Sequence, residues 1–455
     1  MKRIVLATLI IIVLSQLCFS QQLKRRAYLG IRVKNINDSI SQKYKISQGV
    51  YIDTLIDITR VKTNNLLTGD IILGINDSGI INVKQFINIV SSKREGDKAD
   101  FDILRNGKKK KLIIVFPPYP YETSETTEII YDNFTFNAGL IRVIVDKPKQ
   151  VLLKEEKLPA ILFIQGYTCG SLDNIDDMHP YIQLIKRLCE KGYVVMRIEK
   201  PGDGDCYNTP ACEDIDFHTE VDVFEEGLNK LKSFNFVDTA KVFIWGHSMG
   251  GIIAPIIASR NSLKGIIVYG TVIEPWREYL VEMFRVQNPL FGVDPVENEN
   301  NMINYYRIIH SLFIDKKKPA EIAEDTVLLR LLTDKMEYDE NNRIFSRNYK
   351  YLVQIDDYNL TEAWSKTNAY VLSMWGDADI EAFSRYSQET IVDVVNHYHP
   401  GKAEFMVMKG TTHSFAKVES LKDGIKNYNW QYITENFNND VVEKTDQWIN
   451  KILAE

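Results

Sequence analysis

Apolar and polar positions follow two different rhythms along the chain. Before residue 117 the apolar runs are short and interrupted. Val50-Tyr51-Ile52 and Asp70 to Ile75 predict strands, and Val83, Phe86, Ile87 and Val90 recur at helical spacing. Residues 99–104 and 111–116 predict a hairpin around Asn106-Gly107, a dipeptide that suits a type I′ turn. From residue 129 the runs become longer and mostly apolar: 129–136, 139–145, 160–164, 193–198, 241–245, 265–269, 370–375 and 404–408. Helical patterns separate most of them. Continuous apolar strands alternating with helices predict an α/β fold with a mostly parallel sheet covered on both faces. Between the strands near 270 and 370, helical patterns at 276–285, 301–312, 319–332 and 349–364 predict an inserted helical lid at about 275–365.

Pro117-Pro118-Tyr119-Pro120 and the polar run after it predict a stiff, then exposed linker at 117–128. This divides the chain into a small α+β domain at 27–116 and a larger domain at 129–455. Composition is globular, with 45% hydrophobic and 25% charged residues, so a large core is available. A formal charge of −6 argues against a general nucleic-acid binder, and no nucleic-acid partner is expected. Lys2-Arg3, the apolar run Ile4 to Leu14 and Cys18-Phe19-Ser20 predict a signal peptide over 1–20. Export to the periplasm or the extracellular space follows, with no transmembrane segment after cleavage. A lipoprotein anchor at Cys18 and an uncleaved anchor helix are the weaker alternatives.

The candidate chemistry centres on Gly246-His247-Ser248-Met249-Gly250, which follows the apolar strand ending at Trp245 and precedes a helical run from Gly251 to Ala258. Strand, Gly-x-Ser-x-Gly and helix together predict a nucleophile elbow. Two further residues follow predicted strands: Asp379 in Gly376-Asp377-Ala378-Asp379, and His413 in Gly410-Thr411-Thr412-His413. A serine hydroxyl needs a base to take its proton, and a carboxylate orients that base. From Ile129 onward the chain resembles the α/β-hydrolase superfamily, with nucleophile, acid and histidine in the family's order. The resemblance implies a catalytic set of Ser248, Asp379 and His413. It favours Asp379 over Asp377, because the family's acid usually stands three residues after such a glycine. It also implies an oxyanion hole from the backbone N–H groups of Met249 and Tyr167, although Gln165-Gly166 replaces the commoner His-Gly. Glu199-Lys200-Pro201-Gly202-Asp203-Gly204-Asp205-Cys206 stands at the family's loop after the next strand. The acidic stretch beyond it (Glu213, Asp214, Asp216, Glu220) reads first as an exposed loop and helix start, and second as a site for a cationic or amino-terminal group.

Residues 27–116, about ninety in all, resemble a PDZ domain of the bacterial protease-associated type. Tyr28-Leu29-Gly30-Ile31 matches its carboxylate-binding loop and Thr68-Gly69-Asp70-Ile71-Ile72-Leu73-Gly74-Ile75-Asn76 its central strand. Asn64-Asn65-Leu66-Leu67 departs from the family's small-residue helix, which is expected to be shortened. The resemblance implies a groove for a peptide C-terminus lined by Leu29, Gly30, Ile31 and Phe86. A packing module that binds nothing is the alternative.

Apart from Cys18 the chain holds Cys169, Cys189, Cys206 and Cys212. In an oxidising compartment Cys206 and Cys212 are expected to pair with each other or to neighbour Cys169, with Cys189 a buried thiol. The histidines lack ligand spacing and no Gly-rich phosphate loop is present, so neither metal nor cofactor is expected. The sequence predicts an exported serine hydrolase acting on a small ester. A peptidase or aminopeptidase is the second reading, and a catalytically silent PDZ-based binding protein the third.

Overall fold

The computed structural model describes residues 23–58, 61, 64–149 and 157–455. The expected leader at 1–20 lies outside them. At Asn64-Asn65-Leu66-Leu67, where a shortened helix was expected, the chain forms a turn followed by irregular backbone. The chain forms two units, Met1–Glu122 and Thr123–Glu455.

In the first unit, strands β1 (Ile31–Asn35), β2 (Val50–Leu55), β3 (Ile71–Ile75), β5 (Lys98–Arg105) and β6 (Lys108–Val115) form an antiparallel sheet in the order β1-β2-β3-β5-β6, with the short β4 (Ser78–Gly79) paired to β3. Helix α2 (Val83–Ser91) turns Phe86 into a core with Leu29, Ile52, Ile72, Phe101 and Ile114. The β5–β6 turn places Asn106 and Gly107 at φ 52° and 77°, both positive as a type I′ turn requires. Lys108 to Lys111 lie exposed on the edge strand β6, where charge deters edge-to-edge pairing. Asn64 closes the same edge by bonding both the N–H and the carbonyl of Val115 through its amide. Helix α1 (Asp38–Tyr44) was not legible as a periodic pattern, because none of its residues is buried; the Asn37 side chain caps it by accepting from the Ile40 N–H at 3.0 Å.

The second unit is an eight-stranded sheet. Its strands are β7 (Thr127–Phe136), β8 (Gly139–Pro148), β9 (Leu158–Ile164), β10 (Val194–Ile198), β11 (Val237–His247), β12 (Gly265–Tyr269), β15 (Tyr370–Gly376) and β16 (Ala403–Met408), in the order β16-β15-β12-β11-β9-β10-β8-β7. Neighbouring strands from β16 to β10 run parallel, and the β10–β8 and β8–β7 pairings are antiparallel. Successive side chains feed two cores. From β9, Ala160, Leu162 and Ile164 join one face with Phe224 and Ile253, whereas Ile161 and Phe163 join the other with Leu184, Leu188 and Ile449. The period of two explains why the strands read as unbroken apolar runs: both faces are covered. Helices α3 (Pro180–Glu190) and α11 (Asp440–Ala454) cover one face; α4 (Phe217–Ser233), α5 (Met249–Ala258) and α10 (Tyr386–Tyr398) cover the other.

Between β12 and β15 the insertion holds α6 (Trp276–Leu290), α7 (Pro295–Ile309), α8 (Thr326–Met336), α9 (Tyr349–Asp357) and shorter helical turns. It also holds a two-stranded hairpin, β13 (Arg343–Ile344) and β14 (Arg347–Asn348), which the helical patterns did not predict. Strands this short carry no period to read.

One expectation is corrected here. Cys206 and Cys212 do not pair; the disulfide joins Cys169 to Cys212, whose Cα atoms are 5.8 Å apart. Cys206 is buried and points its thiol at the Glu199 carbonyl, so closeness in sequence misled. Cys189 is a buried thiol on α3.

Candidate active site

Residue 248 sits where β11 becomes α5. Its backbone lies at φ 53° and ψ −117°, a region a serine adopts only under constraint. The constraint is visible on both sides. The Ser248 N–H donates to the Tyr269 carbonyl at 2.9 Å, and the Gly251 N–H donates to the Ser248 carbonyl at 2.8 Å. A Cβ on Gly246 would overlap the Gly250 backbone, and one on Gly250 would overlap the Ile164 carbonyl. Glycine at both positions lets the strand, the turn and the helix close over one another.

Asp379 follows β15 and His413 follows β16. His413 Nδ1 lies 2.9 Å from Asp379 Oδ2 and 3.1 Å from Oδ1. Asp379 is held in turn by the N–H groups of Glu381 (2.8 Å) and Ala382 (2.9 Å). Asp377, its rival from the sequence, instead accepts from the Gly410 N–H at 2.6 Å and so closes the turn that leads to His413. Ser248, Met249, Tyr167 and His413 line one cavity of about 180 Å³. Trp276, Leu280 and Met283 of α6 supply much of its apolar wall.

Near His413 the sequence reading missed one residue and the role of a second. Glu381 lines the same cavity, and its Oε2 is 3.4 Å from His413 Nε2. Its position two residues beyond Asp379 was the available signal. Burial alone would lower the His413 pKa, but the carboxylates of Asp379 and Glu381 reverse that and push it up to about 9. The second residue is His247, which the sequence placed inside the elbow without a role. It is buried, and its Nε2 lies 2.9 Å from the His413 carbonyl. A carbonyl only accepts, so Nε2 carries the proton and Nδ1 accepts from the Tyr181 hydroxyl at 2.6 Å. Burial, then the nearby His413, hold the His247 pKa well below its ordinary value. A neutral His247 thus anchors the His413 loop to the strand below it.

Across the cavity, the loop after β9 has most of its backbone groups engaged. The Gly166 N–H donates to the Tyr181 hydroxyl oxygen at 3.3 Å. Lys200 Nζ donates to the carbonyls of Gly166 (2.8 Å) and Tyr167 (3.3 Å), and Arg347 Nη1 donates to the Tyr167 carbonyl at 3.0 Å. Glu220 joins the two cations, at 3.0 Å from Lys200 and 2.6 Å from Arg347, and accepts from the Tyr351 hydroxyl at 3.0 Å. Lys200, Glu220 and Arg347 are almost completely buried. Burial pulls the Lys200 pKa down; for Glu220, burial acts upward but Lys200 and Arg347 outweigh it and hold the carboxyl low. The reading of the acidic stretch as an exposed loop is corrected for Glu220. Asp214 accepts from Arg343 of the β13–β14 hairpin, and Asp216 caps α4 through the Thr219 N–H. Four carboxylates close in sequence therefore do not form one recognition site.

In the first unit, Leu29 and Phe86 lie in the core and Ile31 packs against it. The Gly30 carbonyl accepts from the N–H groups of Ile56 (2.7 Å) and Asp57 (3.1 Å). Among the described residues no His, Cys, Asp or Glu group is arranged to hold a metal ion, and no helix is long and apolar enough to cross a membrane.

Residues 27–115 match the family described as PDZ domain, and residues 175–325 match serine aminopeptidase, S33. The chain carries a PDZ domain ahead of an α/β-hydrolase domain, and these matches support a serine hydrolase. Among curated proteins it is similar to a probable periplasmic serine endoprotease DegP-like of Ectopseudomonas mendocina, 26% identical over 113 residues covering 23% of this chain and 24% of that protein. It is also similar to esterase EstD of Thermotoga maritima, 24% identical over 176 residues and covering 38% of each. The chain thus spans 24% and 38% of these two relatives. Among solved structures it is similar to Est1E of Butyrivibrio proteoclasticus with ferulic acid bound, with a TM-score of 0.45 and 16% identity over 71% of this chain and 99% of that one. A soluble variant of monoglyceride lipase from Saccharomyces cerevisiae gives a TM-score of 0.43 and 18% identity over 74% and 99%.

Proposed function

We propose that the second unit hydrolyses small carboxylic esters by acyl transfer through Ser248. His413 takes the hydroxyl proton as Ser248 attacks the carbonyl carbon, and Asp379 stabilises the imidazolium that forms. The N–H groups of Tyr167 and Met249 receive the oxyanion; Met249 opens α5, where an N–H has no intrahelical acceptor. The protonated His413 then gives its proton to the leaving alcohol. A water, deprotonated by His413, releases the acid and restores Ser248. One observation carries the reading: His413, bonded to Asp379 behind it, and Ser248, held at an elbow with positive φ, line the same largely apolar cavity. A fluorophosphonate probe should label wild-type protein and not Ser248→Ala. Folded wild type that takes no label would sink the proposal.

A second reading, an aminopeptidase, is supported by Glu381, a carboxylate in an otherwise largely apolar wall where an ammonium group could sit. p-Nitrophenyl esters run beside aminoacyl-naphthylamides separate the two. For the PDZ domain, a peptide C-terminus at the edge strand β1 beside α2 is the proposed ligand. Export to the periplasm is also part of the proposal, in line with the periplasmic DegP-like relatives.

A further inference from the structure

The peptide unit that joins Gly166 to Tyr167 carries both a carbonyl and the N–H assigned above to the oxyanion site. In a trans peptide these two groups point in opposite directions and share one conjugated system. Fixing the carbonyl therefore fixes the direction of the N–H, and a cation at the carbonyl draws electron density away from the nitrogen. Lys200 Nζ is 2.8 Å from this carbonyl, at the end of β10 and out of solvent. The peptide lies beside the elbow, since a Cβ on Gly166 would stand 3.4 Å from the Ser248 Cβ.

We propose that Lys200 is a positioning residue for the oxyanion site: its ammonium holds and polarises the Gly166–Tyr167 peptide so that the Tyr167 N–H faces the charge that develops on the substrate. This rests on the reaction proposed for Ser248. Arg347, from the lid hairpin, holds the next carbonyl along and so pins the far side of the same residue. Glu220 lies between the two cations and keeps both in place. Asp203 also feels both cations, so the carboxylates around them number at least two and the effect on the oxyanion site lies in where the donors point, not in a net charge. A merely structural ion cluster would have no reason to spend its donors on two successive carbonyls of one loop.

The test uses the full chain with p-nitrophenyl acetate as substrate and phenylboronic acid as a tetrahedral mimic. Wild-type turnover and fluorophosphonate labelling of Ser248 come first; if these fail, the reaction is wrong and Lys200 is not at issue. In Lys200→Met, kcat should fall about 30-fold, on the order of losing part of one oxyanion donor, with KM within about twofold. The inhibition constant of phenylboronic acid should rise by a similar factor. Lys200→Arg, which can still donate to Gly166, should recover most of both. If Lys200→Met does not fold, Lys200→Gln combined with Glu220→Gln removes the charges as a pair and carries the same expectation. Turnover unchanged in the neutral variant overturns the proposal. So does Lys200→Arg as damaged as Lys200→Met, or a loss confined to KM.

Discussion

The two sides of Ser248 are built in different ways. On the histidine side each group is a side chain at the end of its own strand, and short backbone bonds hold it: two N–H groups grip Asp379, and His247 grips the carbonyl of His413. On the side proposed for the oxyanion the reacting groups are backbone N–H groups, and buried ions hold the Gly166 and Tyr167 carbonyls next to one of them. Those ions come from the end of β10, from α4 and from the lid hairpin, and Arg347 reaches Tyr167 across 180 residues of sequence. Side-chain chemistry is compact and tolerates local turns as its support. Backbone chemistry has no side chain to anchor, so distant charges must do the anchoring, and the lid becomes part of the site.

The contrast can be broken most sharply on the histidine side. Asp379→Asn should leave the fold intact and lower kcat on p-nitrophenyl acetate about 10⁴-fold, because the amide favours the wrong imidazole tautomer. A loss smaller than that of Lys200→Met would reverse the ranking of the two sides. The next effect is on pH. His413 must be neutral to act as a base, and its pKa is about 9, so kcat/KM should rise with pH between about 7 and 9. Glu381→Gln removes one of the two carboxylates beside the ring and should move that rise to lower pH, raising activity at neutral pH. An unshifted profile would mean Glu381 does not face the ring in solution. The sign for stability is opposite. A folded-state pKa raised above about 6.5 stabilises the protein fully below that value, and the gain is lost as pH climbs through about 9. The smallest effect belongs to the disulfide. Cys169→Ser should cost about 2–4 kcal/mol in denaturant titration, with a kcat loss below that of Lys200→Met. A larger kcat loss would make the crosslink, not Lys200, the chief support of the oxyanion loop.

Much of the fold was legible because the inner strands of the parallel sheet are buried on both faces and read as apolar runs. Ser248, Asp379 and His413 stood out for a related reason: each follows such a run within a few residues, and the structure brings all three together at the carboxyl ends of the strands. What stayed hidden has physical causes. Glu220 looked exposed because a carboxylate in an acidic stretch usually is, and only the fold shows the two cations beside it. The hairpin at Arg343 to Asn348 is too short to show a period, although it delivers Arg347. Helix α1 buries nothing, so no apolar face marked it. The cysteine pairing depended on which loop lay over which, and spacing along the chain does not record that.

The crosslink also has a history in time. Cys169 pairs with Cys212 and skips Cys189 and Cys206, which lie between them. A chain that oxidises as it emerges meets Cys189 before Cys212, so the first bond formed is apt to be the wrong one. The native bond then requires exchange, in which a thiolate attacks the misplaced disulfide; this takes minutes to hours without help. Burial of Cys189 on α3 and of Cys206 against Glu199 withdraws the competing thiols once the sheet has formed. The folded sheet acts as the proofreader of its own covalent bond. Yield of active protein should therefore depend on a disulfide isomerase more than on an oxidant.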